Sequence, residues 1–119
     1  MREIKFRGKF LDDSSEWLYG NYVFLKDDIF SHKISDNNGL LLDIDEKTLG
    51  QYTGLKDKNG VKIFEGDIVK IDCPTMKMQG KVFYCESGAD FRIYDEIEDI
   101  EETLWYLQEE YEVIRKYIW

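Results

Sequence analysis

Residues 50–70 read GQYTGLKDKNGVKIFEGDIVK. Within it, Asp57-Lys58-Asn59-Gly60 is the strongest turn signal in the chain. Asparagine tolerates positive φ, and glycine takes it without steric cost. The flanks are Tyr52-Thr53-Gly54-Leu55 before and Val61-Lys62-Ile63-Phe64 after, and they are expected to pair as a hairpin. Glu65-Gly66-Asp67 is a second sharp bend. Residues 67–73 (DIVKIDC) then alternate, with Ile68 and Lys70 on one face and Val69 and Ile71 on the other, the pattern of a half-buried strand. Two bends and three strands in so short a stretch predict a mainly β protein.

Toward the N-terminus the same grammar continues. Ile4 and Phe6 alternate in EIKFR, residues 3–7. WLYGNYVFL, residues 17–25, is rich in aromatic and β-branched types, and Gly20 inside it marks a bulge or the close approach of another backbone. IFSHKI (29–34) and LLLDID (40–45), joined by the turn-forming SDNNG, predict a second hairpin. Toward the C-terminus, Pro74 closes one strand, residues 75–80 (TMKMQG) are read as a connection, and KVFYC (81–85) and DFRIY (90–94) follow as strands. Such spacing suits a small barrel or sandwich. Ile97, Ile100, Leu104 and Leu107 recur at helical intervals, so the expectation for residues 95–108 is one short acidic helix. Its acids crowd the helix start, facing the positive end of the dipole. Residues 111–118 are read as a final strand. A mild division falls near residue 52, giving a β-rich N-terminal part (1–52) and a barrel-like C-terminal part (53–119).

The chain has 119 residues, 43% apolar and 15% aromatic, enough for a packed core. Its formal net charge is −9. Residues 86–112 hold eleven acids against one base, Arg92. Phosphate is repelled by such a balance, so nucleic acid is a disfavoured partner. No run approaches a membrane span and no signal-type stretch opens the chain, which predicts a cytoplasmic protein without a membrane partner. Cys73 and Cys85 are too few for a disulfide scaffold and are read as two buried free thiols.

Catalytic constellations are scarce. His32 is the sole histidine, and one histidine with two separated cysteines makes no local zinc site. Ser87 sits in Glu86-Ser87-Gly88, which lacks the first glycine of a nucleophile elbow. Asp57 and Asp36 open stretches that begin like calcium loops. Both fail: Lys62 and Leu41 stand where glycine is needed, Ile68 and Lys47 where the bidentate acid is needed. Glu65 and Asp67 flank a glycine and share a face, as a catalytic pair would, but an acid–Gly–acid corner more often caps the bend it stands in. No catalytic, cofactor-binding or metal-binding residue is assigned, and no cofactor is expected. Lys70, Lys77, Lys81 and Arg92, interleaved with Phe83, Tyr84, Phe91, Tyr94, Tyr106, Tyr111 and Tyr117, are the positions that can stack single-stranded bases, although alternate aromatics more often form a core.

TLGQYTGLKDKNGVKIFEGDIVK, residues 48–70, closely resembles the signature of the YopX family of phage and prophage proteins. MREIKFRGKF resembles the family's usual start, and Gly80-Lys81-Val82 its following strand. Glu112-Val113-Ile114 resembles the family's EVIGNIYEN tail, from which the chain departs at Arg115 and Lys116. The resemblance implies an SH3-type barrel in the C-terminal half and brings no catalytic residues with it. The expectation is a non-enzymatic interaction module that binds a host protein, a phage protein or itself. The alternatives are a single-stranded nucleic-acid binder and an acidic DNA mimic acting on a host protein.

Overall fold

The structure is a computed structural model, and it describes residues 5–12, 16–74, 76–104 and 111–115. Eleven strands and one short 3-10 turn make up the described chain. The first are β1 (Phe6–Lys9), β2 (Trp17–Phe24), β3 (His32–Ser35), β4 (Leu41–Asp43), the turn Glu46–Thr48 and β5 (Gly50–Lys56). Then come β6 (Lys62–Phe64), β7 (Ile68–Cys73), β8 (Met76–Cys85), β9 (Asp90–Asp95), β10 (Ile100–Thr103) and β11 (Tyr111–Arg115). The chain divides into two compact units at the Tyr52–Thr53 bond.

In the first unit the strands run β4-β3-β2-β1-β5, antiparallel wherever registers are given. Ile34 and Ile44 are its most deeply buried apolar side chains. Two glycines permit their approach. A Cβ at Gly8 would stand 2.7 Å from Ile44 Cδ1, and one at Gly20 would stand 2.1 Å from the Ser35 carbonyl oxygen. Gly20 therefore marks the close backbone approach that its place inside a strand implies. The β3–β4 hairpin closes over Asp36, whose Oδ1 accepts from Asn38 N and Leu40 N at 2.9 Å each. Residues 29–31 lie in the bend before β3 and are not part of the strand.

The second unit is built on the opening stretch. The end of β5 neighbours β6, and Asp57 makes the connection. Its Oδ1 accepts from Asn59 N and Val61 N, both at 2.8 Å, while its own N–H donates to the Val61 carbonyl. Gly60 has φ +80. At the next bend Gly66 has φ +92, and the carboxylate of Asp67 turns inward, with Oδ2 accepting from Phe64 N at 2.8 Å. The remaining strands form a sheet in the order β10-β9-β8-β7-β11. Ile63, Val69, Ile71, Met78, Val82, Ile93 and Leu104 form the core, with Leu55 and Phe91 against it. Alternation along β7 is as expected: Val69 and Ile71 are buried and Lys70 is exposed.

Three expectations are corrected. Residues 75–80 are not a connection, because β8 already begins at Met76 and Cys73 stands opposite Met76. A tight turn at Pro74 lets β7 template the next strand at once. Residues 95–103 are not helical. They form the β9–β10 hairpin, with Ile100 opposite Asp95 and Thr103 opposite Arg92. Asp99 takes φ +53 in the bend. The cross-strand bond from Arg92 Nη1 to Glu101 Oε2, 2.7 Å, uses an acid that a helix would set among its like. Residues 105–108 of the expected helix lie outside the described residues. Finally, no closed barrel is found: among the described residues β10 and β11 are opposite edges of an open sheet. No helix among these residues is long and apolar enough to cross a membrane.

Candidate functional site

Unequal strand lengths create the site. β8 pairs with β7 from Met76 to Lys81. Val82 extends that side, its N–H donating to the Asp67 carbonyl and its carbonyl accepting from Gly66 N. β9 pairs with β8 only from Lys81 to Cys85. Met76–Met78 therefore project past β9, with no strand beside them on that side among the described residues, while Gln79 and Gly80 lie against its end.

Asp95 stands where β9 turns away. Its Oδ2 accepts from Gln79 N at 3.3 Å, standing in for the next rung of the ladder. Its Oδ1 accepts from Ile97 N and Glu98 N at 3.0 Å each, which shapes the bend. The carboxyl is held below the usual carboxylate range, chiefly by the Glu98 N–H, with Gln79 and Ile97 adding to it against the opposing effect of burial. Gly80 lies at the point of closest approach: a Cβ there would meet Ile93 Cγ2 and the Tyr94 carbonyl oxygen, each at 2.5 Å.

Between the projecting β7–β8 hairpin and the β9–β10 bend lies an open groove of about 780 Å³. Its β7–β8 bank carries Lys70, Lys77 and Lys81, and its opposite bank carries Glu96, Glu98 and the 92%-exposed Ile97. Lys77 makes a loose ion pair with Asp72, 3.9 Å. Burial pulls the Lys81 ammonium pKa down, and the charge of Glu65 acts the other way. Tyr94 stands opposite Lys81 and donates its hydroxyl to Asp99 Oδ1 at 2.8 Å.

The candidate residues fare unequally. Lys70, Lys77, Lys81 and Tyr94 come together on this groove. Arg92 does not: its Nε donates to Asp90 Oδ1 at 2.8 Å and its Nη1 to Glu101. Phe91 packs against the core, with Tyr84 edge-on at 5.2 Å. Asp67, wholly buried, is engaged by the backbone of its own bend, and Glu65 acts on Lys81. His32 belongs to the first unit, Glu65 and Asp67 to the second. Its Nε2 lies 2.9 Å from Glu46 Oε2. With that nitrogen donating, Nδ1 accepts from the Tyr22 hydroxyl at 2.6 Å. Tyr22 stacks on the imidazole and Phe24 meets it edge-on, so the ring is fixed on two sides. Burial, then the charge of Glu46, raises the Tyr22 pKa.

The cysteines sit at opposite ends of the β7–β8 hairpin, Cys73 opposite Met76 and Cys85 opposite Asp90. Cys85 is a half-buried free thiol. A bond to Ser87 Oγ at 3.3 Å, then the Gly88 N–H, lowers its pKa. No grouping of three or more metal-ligating side chains occurs among the described residues.

The sequence reading missed Asp95 and the overhang. Asp95 joins residues from two strands, and the overhang is a difference between strand lengths, so neither has a local signal.

A comparison with family models matches residues 5–115 to the YopX protein family. No curated protein matches the chain.

Proposed function

The chain belongs to the YopX family, and from that premise we propose that it is a non-enzymatic interaction module of a bacteriophage or prophage, working in the host cytoplasm. The second unit holds a host or phage protein in the groove beside β8. The observation that carries this reading is the overhang itself: a strand edge that no other described strand covers, next to a groove whose two banks bear opposite charge. The catalytic candidates are engaged in structure: Asp67 caps a bend, and His32 is fixed between Tyr22 and Glu46. Affinity capture from host lysate tests it, with the wild type run beside a variant carrying Lys70→Glu, Lys77→Glu and Lys81→Glu. A protein retained by the wild type and lost by the variant is the expected result. A strict monomer retaining nothing counts against the proposal.

One observation favours a second reading. Lys70, Lys77, Lys81 and Tyr94 line one surface, as a single-stranded nucleic-acid site requires. That reading needs a mobility shift of a single-stranded oligonucleotide at low salt that weakens steeply as salt rises. The acidic bank and the charge of −9 oppose it.

A further inference from the structure

We infer that the occupant of this groove is an extended polypeptide segment that joins the sheet as a short strand along Met76–Met78, with acidic side chains on its outward face. This rests on the proposed interaction function and specifies its binding mode.

Main-chain direction comes first. Alternate residues of a strand address opposite neighbours. Val82 sends both its N–H and its carbonyl toward the β7 side. Gln79, of opposite parity, sends its N–H to Asp95 on the other side. Lys77 shares the parity of Gln79, so its N–H and carbonyl face the groove. Gln79 N–H is held by Asp95 and Gly80 lies against Tyr94, so the open length is Met76–Met78, about 10 Å at strand rise, room for a segment of about three residues.

Side-chain chemistry then selects the occupant. An added strand places alternate side chains on the two faces of the sheet. On the outward face they meet Lys77 and Lys81, with Lys70 one strand further on, so acidic residues are favoured there. The intervening positions meet the side on which Met78 and Ile71 lie, so apolar residues are favoured. A second copy of the chain fits poorly: edge-to-edge pairing of two such strands sets Lys77 against the partner's lysines, between molecules that each carry −9. A nucleic acid has phosphates for the lysines but no complement for the main-chain N–H and carbonyl of Lys77 that face the groove. Main-chain pairing gives such a complex its affinity and the alternate side chains its specificity.

Selection of random dodecapeptides displayed on particles against the full chain tests this. The expected outcome is enrichment of peptides that alternate acidic and apolar residues, with amide shifts on binding confined to residues 76–81 and 94–98. Lys77→Pro removes the groove-facing N–H at an edge position and leaves the β7 ladder intact. It is expected to weaken the selected peptide by about tenfold or more, as is N-methylation of the peptide amide facing Lys77. A Lys77→Ala variant, which keeps the N–H, is expected to lose less. No enrichment, or peptides indifferent to both changes, overturns the strand reading. If lysate capture meanwhile yields a partner that needs the three lysines, the interaction function stands and only the binding mode falls.

Discussion

At the scale of single residues, aspartate acts here as a backbone acceptor. Asp36, Asp57, Asp67 and Asp95 each receive main-chain N–H groups at a bend. Asp67 is the most buried of them, so Asp67→Ala leaves the Phe64 N–H without its acceptor and is expected to cost about 1–3 kcal/mol in urea unfolding. Glu65→Gln, which removes a partly exposed charge acting on Lys81, is expected to stay within about 1 kcal/mol. Asp95 adds a pH dependence. Its folded pKa is depressed, so its stabilisation is present above the unfolded carboxylate value of about 3.9 and is lost as pH falls through the lower folded value. Asp95→Asn is therefore expected to lower the urea midpoint at neutral pH, with the gap to wild type closing below about pH 4. Cys85, with its depressed pKa, is expected to be alkylated by iodoacetamide at pH 7.5 faster than an unperturbed thiol. Ser87→Ala is expected to slow the reaction, as mass spectrometry of the Cys85 peptide can follow. The sequence showed Asp57 and Asp36 as turn formers because their partners lie two to four residues on. It could not show Asp95 doing the same for Gln79, sixteen residues away.

At the scale of elements, hairpins were legible where glycine or asparagine fixes the bend: β3–β4 and β5–β6 lie where DNNG and DKNG put them. The stretch 95–103 misled because Ile97 and Ile100, with Leu104 just beyond it, keep helical spacing. In the hairpin Ile97 is at the exposed tip, Ile100 is 41% exposed, and only Leu104 enters the core. Periodicity cannot weigh the gain of pairing with β9, and tertiary context overrides it. β8 was legible from Lys81 onward, but its first residues carry no β-branched types, and only pairing with β7 makes them a strand. Two substitutions probe these elements. Gly80→Ala forces a methyl into the Tyr94 carbonyl and Ile93, and is expected to cost about 1–3 kcal/mol in thermal or urea unfolding. Ala89→Gly relieves a φ of +52 in the β8–β9 turn and is expected to gain up to about 1 kcal/mol by the same measurement.

At the scale of the whole molecule, the mainly β class follows from composition and turn spacing, whereas the groove is a product of assembly. Lys77 and Lys81 share β8, and Lys70 joins them only through the register of β7 with β8. The overhang also bears on how the protein behaves in acid. Repulsion between molecules fades near the isoelectric point, about 4.6, where naked strand ends invite stacking into fibrils. The Asp95 latch titrates lower still, so it remains closed while the charge is gone. By the time it opens, the molecule has become a polycation and repels its copies again. The two effects are staggered along an acid titration, with the Asp95 bond guarding the Gln79 end of the exposed edge. An isoelectric precipitate of the wild type should thus redissolve on neutralisation, while one of Asp95→Asn should seed thioflavin-positive fibrils.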